Sequence, residues 1–128
     1  MAEEKKAPET VQTNTSLLDD ERMLASFCHL GGLVGMLFPP MNIIIPLILY
    51  LVYRDKYELV ADQGKEAVNF QLSLLIFIIV GILLVFVAIG IVVLPLLMIF
   101  ALIVIIIAAL RARDGEKYRY PFAIRFIP

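Results

Sequence analysis

The sequence predicts an all-α integral membrane domain of four helices, arranged as two helical hairpins with the N- and C-termini both cytoplasmic. Three observations lead there. Hydrophobic residues make up 61% and charged residues 18% of the 128-residue chain, whereas ordinary globular proteins carry roughly 45–50% and about 25%. A water-soluble domain of this size cannot hide so much apolar surface. Two long stretches, Met23–Tyr53 and Ala67–Leu110, contain no formally charged residue. Finally, the eleven Lys and Arg residues fall in three places only: Lys5, Lys6 and Arg22 before the first stretch; Arg54, Lys56 and Lys65 between the two; Arg111, Arg113, Lys117, Arg119 and Arg125 after the second. If each stretch goes in and comes back, all three places share one side, and the positive-inside rule makes that side cytoplasmic. Tyr50, Tyr53, Tyr57, Tyr118 and Tyr120 lie at the same ends, where amphipathic rings sit at headgroup level.

Taken in order, residues 1–15 are polar and of mixed charge, and are expected to be a disordered cytoplasmic tail, because they cannot bury enough surface to offset the entropy of ordering. The flank of the first apolar run is acidic (Asp19, Asp20, Glu21) rather than basic, so that run is expected to be retained and not cleaved as a signal peptide. Residues 16–128 form the membrane domain. Its first helix is expected over 19–38, with Ser16 and Asp19 at capping-box-like spacing and acids at the positive end of the helix dipole. Phe38-Pro39-Pro40-Met41-Asn42 breaks the run, since two prolines remove donors and disfavour the helical conformation.

The second helix then covers 42–54, with Pro46 tolerated if it falls in the first turn. At about 1.5 Å per residue both arms fall short of a hydrocarbon core about 30 Å thick. Tight packing, local thinning or a re-entrant loop would absorb the mismatch. Ala67–Leu110 is long enough for two full crossings, expected as helices 64–88 and 91–113 around a turn at Ala88-Ile89-Gly90, with Pro95 in the opening turn of the last helix. After Gly115, a helix stop, residues 116–128 mix aromatic, apolar and basic groups. Two readings stand for this segment: an interfacial one, with Arg111, Arg113, Tyr118, Arg119 and Tyr120 meeting anionic headgroups, and a fold-back over the helix ends.

Within the apolar stretches the polar side chains are few. His29 stands without an acid near it in sequence, so hydrogen bonding across helices is the leading reading and a proton or metal role a minor one. Cys28 beside it completes no zinc ligand set and reads as a small packing residue. Gly31 and Gly35 have GxxxG spacing, which lets one helix face approach a neighbour closely. Asn69, Ser73, Phe77 and Gly81 recur every four residues on the third helix. With Gln71, the amide and hydroxyl groups of that helix are either glue between helices or the lining of a small pore. No catalytic set, metal site or cofactor motif emerges, and an enzyme is not expected. A net charge of −1 gives no reason to expect nucleic acid. The expected partners are the lipid bilayer and other membrane proteins, or further copies of the chain itself.

Three blocks together resemble the Tic-twenty-like family of small prokaryotic membrane proteins, a domain of unknown function distantly similar to a chloroplast inner-envelope protein-import component. They are Cys28-His29-Leu30-Gly31-Gly32 running to Pro39-Pro40 and on to Pro46-Leu47-Ile48-Leu49-Tyr50; Gly64-Lys65-Glu66-Ala67-Val68-Asn69-Phe70-Gln71; and Arg111 to Pro121. The resemblance covers roughly Leu18 to Pro128 and implies a four-helix domain of the cytoplasmic membrane, with no functional residues to carry over. The leading expectation for function is a non-enzymatic scaffold, assembly or translocon-like component. The alternative is a small oligomeric channel or facilitator, with an intramembrane enzyme third.

Overall fold

The computed structural model describes the backbone of residues 9–128 and the side chains of residues 13–128. Among these residues the secondary structure is entirely helical: α1 (Glu9–Gly35), α2 (Met41–Tyr53), α3 (Glu58–Val85) and α4 (Gly90–Arg113). Each helix packs on the next in the chain, α4 returns to α1, and α1 also meets α3 across the middle, so α2 and α4 are the outer corners.

The two helix starts that differ most from the sequence expectation do so because charged residues ride on helices rather than in loops, while α1 and α3 each end three residues earlier than expected. Residues 1–8 of the expected disordered tail lie outside the described residues, but from Glu9 onward the chain is already helical. Likewise α3 starts at Glu58, six residues before the expected start at 64, and the central loop shrinks to Arg54–Tyr57. Glu58 in the first turn suits the helix dipole, and the Glu21 carboxylate reaches across from α1 to accept the Leu59 N–H at 2.8 Å, satisfying a donor that the helix start leaves open.

The prolines also sit deeper than expected. Pro46 and Pro95 are each the sixth residue of their helix, in the second turn rather than the first. Each removes the donor for the carbonyl four residues earlier, Asn42 and Ile91. The turn between α3 and α4 runs over Phe86–Ile89, and the residue at positive φ is Ala88 (+63°). Gly90 instead serves a close approach: a Cβ there would stand 2.2 Å from the Gly81 carbonyl oxygen.

The α1–α2 hairpin is short. Its tip reaches only the middle of α3, where Asn42 Nδ2 donates to Gln71 Oε1 at 3.0 Å. Beyond that level α3 and α4 continue alone as a two-helix hairpin. α3 and α4 are the two helices long and apolar enough to cross a membrane; α2, with 13 residues, is shorter.

Side chains are distributed in the reverse of a water-soluble protein. The buried face of α4 is Ala101, Ile105, Ala108 and Ala112, at spacings of four, three and four, mostly small residues that bring backbones together. Its outward faces carry exposed Ile91, Leu96, Ile99, Ile103 and Leu110. Fully or nearly fully buried are His29, Gln63, Glu66, Asn69, Gln71 and Ser73.

Candidate functional site

The buried polar residues gather on one face of α3. Asp62, Glu66, Asn69 and Ser73 follow spacings of four, three and four, and so lie in one stripe. Along that stripe the C-terminal segment, residues 117–128, runs as a non-helical strap. Its backbone groups are taken one by one. Tyr118 O accepts from Gln63 Nε2 at 3.2 Å, and Tyr120 N–H donates to Glu66 Oε1. Ile124 N–H donates to Ser73 Oγ at 2.6 Å. The strap then turns back, and the Asn69 amide takes both backbone groups of Ile127, donating to its oxygen at 2.9 Å and accepting its N–H at 2.8 Å. Ser73 passes its own proton to the Asn69 carbonyl at 2.8 Å. A backbone that makes no helical bonds requires such partners wherever water is absent.

Tyr120 is the centre of the docking. Its ring stacks on Phe70, with centroids 4.0 Å apart and planes at 12°. Its hydroxyl lies 2.7 Å from His29 Nδ1, and His29 Nε2 lies 3.0 Å from Gln63 Oε1. The direction of this chain follows from Asp62. Gln63 Nε2 donates to Asp62 Oδ2 at 2.7 Å, because the opposite amide orientation would set two acceptors against each other. Gln63 Oε1 must therefore face His29 and accept from Nε2, which leaves Nδ1 as the acceptor of the Tyr120 proton: a neutral imidazole in one tautomer. Asp62 in turn receives both Arg119 nitrogens at 2.7 Å, a bidentate pair. Burial pushes the Tyr120 phenol well above its usual range, so it stays a donor. Glu66, 3% exposed, also holds Arg125. Among the described residues no side-chain nitrogen or oxygen that is itself sealed from the surface lacks a hydrogen-bond partner.

His29, Asn69 and Ser73 thus meet through the strap. Gln71 faces the other way, accepting from Asn42 and lying against Gly32, so the three polar groups considered for a pore do not share a lumen. Gly31 and Gly35 pack on α2: a Cβ would meet Ile45 Cγ2 at 2.3 Å and the Asn42 backbone nitrogen at 2.2 Å. Of the residues expected at a lipid interface, Arg111 pairs with Glu116 at 2.9 Å, Arg119 with Asp62, and Tyr120 is buried. Tyr118 is half-buried and Arg113 exposed.

Sequence reasoning missed Asp62, Gln63, Glu66 and Arg125: Asp62 and Gln63 fell in the loop before a helix expected from 64, and nothing local to Glu66 or Arg125 announces that the two pair. The spacing from Asp62 to Ser73 was the available signal. Past the strap, Phe77 and Gly81 continue the stripe into an apolar groove of about 500 Å³ between the outer halves of α3 and α4, with Phe122 at its rim.

A family model described as the magnetosome magnetite crystal formation protein family matches residues 20–127. No curated protein and no solved structure matches the chain. The family match corrects the resemblance to the Tic-twenty-like family, which rested on three short blocks of sequence. The translocon-like reading drawn from it has no support.

Proposed function

The chain belongs to the magnetosome magnetite crystal formation family, and from that premise we propose that it is a non-enzymatic, multi-pass component of a crystal-forming membrane, acting on mineral growth through the membrane and its neighbours. The observation that carries this reading is the separation of charge from apolar surface. Residues 67–110 hold no charge, and their outward faces are large aliphatic and aromatic side chains, Phe86 being 87% exposed. Contiguous apolar surface on that scale needs a partner other than water. In a bilayer, α3 and α4 cross as a pair, while α1 and α2 form a re-entrant hairpin whose apolar tip, Leu37 and Phe38, ends within the hydrocarbon. Both termini then face the cytoplasm by the positive-inside rule.

On the far side, among the described residues, the chain offers the turn Phe86–Ile89, which has no carboxylate. Direct coordination of iron or mineral there has no side-chain donors to use, which favours action as a scaffold or assembly component. The channel alternative is weakened because Asn69 and Ser73 are already paired with the strap and Gln71 points to α2. The test has two arms. The protein should stay in the membrane pellet through alkaline carbonate, with reporters fused to either end both cytoplasmic. A magnetite-forming host lacking its own family member should recover normal crystal size when given this chain. Opposite compartments for the two ends would refute the topology, and crystals no different from those of the host without the chain would refute the role.

A further inference from the structure

A second polar–apolar boundary, away from the strap, lies between α1 and the end of α4. Arg22 immediately precedes the first uncharged stretch and Arg113 closely follows the second. The fold brings them to the rim of one cavity of about 440 Å³. Gly115, at φ +86°, makes room for this: a Cβ there would stand 2.8 Å from Arg22 Nε. Unlike Arg111, Arg119 and Arg125, neither Arg22 nor Arg113 has an ion-pair or hydrogen-bond partner among the described residues. Below them the wall is Ser26, 5% exposed, whose hydroxyl also lacks a hydrogen-bond partner among the described residues. The rest of the lining is apolar, with Met23, Phe27 and Leu30 on one face of α1. Asp19 is the one carboxylate at the mouth, leaving a local excess of one positive charge.

We infer that this cavity is a binding site for an anionic membrane phospholipid, with the headgroup phosphate held by Arg22, Arg113 and the Ser26 hydroxyl and an acyl chain lying along Phe27 and Leu30. Guanidinium groups pair with phosphate by charge-assisted, often bidentate, hydrogen bonds. Their place at the junction of charge and apolar helix is where a headgroup sits. The inference rests on the membrane reading above, but it adds a specific ligand and a specific site.

Native mass spectrometry of the detergent-solubilised full chain tests it, with phosphatidylglycerol, phosphatidylcholine and inorganic phosphate as probes. One phosphatidylglycerol per chain is expected to survive detergent removal in preference to phosphatidylcholine, with no retained free phosphate. Arg22→Gln and Arg113→Gln should each weaken retention on the order of tenfold, the loss of one charge-assisted pair. The double variant Arg54→Gln/Lys56→Gln, which removes two cations at the same end but outside the cavity, should bind as the wild type does. Equal loss in that control, equal retention of the two lipids, retention of phosphate alone, or undiminished binding in both arginine variants would each overturn the site. Recovery of the variants from washed membranes, checked in parallel, separates failure of the site from failure of the membrane reading.

Discussion

Removing one oxygen from Tyr120 isolates the contact that joins the strap to α1. Tyr120→Phe keeps the ring stacked on Phe70 and keeps the backbone N–H on Glu66, but deletes the 2.7 Å bond to His29 Nδ1. His29 is 1% exposed, so no water replaces the lost donor. A buried acceptor left without its partner costs about 1–3 kcal/mol. Reversible unfolding in mixed micelles should show a loss in that range. The loss should shrink when His29→Leu is already present, because the acceptor is then gone; contacting residues couple by about 0.5–3 kcal/mol.

The pH dependence has a definite sign. The folded phenol titrates above its unfolded value, so its contribution is fully present below the unfolded pKa of about 10 and is lost as pH rises beyond it. The gap between wild type and Tyr120→Phe should therefore be flat from neutrality to about pH 9 and narrow above about pH 10. A Tyr120→Phe protein as stable as wild type, or a loss unchanged in the His29→Leu background, would show that the hydrogen-bonded chain does not hold the strap.

Three other outcomes follow from the geometry. Gly35→Ala drives a Cβ into the Asn42 backbone and should destabilise by about 1–3 kcal/mol or more, whereas Gly31→Ala meets the Ile45 side chain, Cγ2 and Cβ, rather than backbone and should cost less; the reverse order in the same unfolding assay would contradict the hairpin packing. Asn69→Leu combined with Ser73→Ala frees the backbone of Ile124 and Ile127, so trypsin should cut after Arg119 and Arg125 faster than in wild type, and unchanged cleavage would mean that these side chains do not anchor the strap. In a Cys28→Ser background, Phe38→Cys should resist membrane-impermeant thiol reagents from both sides and Ala88→Cys should react from the far side only; labelling of Phe38→Cys from the far side would make the first hairpin a full crossing.

Two glycines, an amide and a hydroxyl show how far sequence reading reached and where it stopped. Gly31 and Gly35 announced a close helix contact through their spacing alone, though not that α2 was the neighbour. Asn69 and Ser73 announced a polar stripe, but the stripe's purpose depended on a segment more than fifty residues away in the chain, since Ile127 and Ile124 bind them at separations of 58 and 51. Glu66 was hidden for the same reason. A carboxylate just before an apolar run reads as solvent-exposed unless its partners, Arg125 and the Tyr120 N–H, are known to come back to it.

What the sequence alone determined is the solvent-level pattern: which stretches are uncharged, roughly where the chain must turn, and that the Lys and Arg residues cluster outside the uncharged stretches. Those properties are local, because hydropathy, charge and proline geometry act on each residue wherever it ends up. Only the tertiary structure decided that the first hairpin stops halfway along α3, that the C-terminal strap is held on the α3 stripe, and that Arg22 and Arg113 share a cavity. Each of these is a pairing through space, and a hydrogen bond or a cavity wall depends on the distance between its partners rather than on either residue's own character.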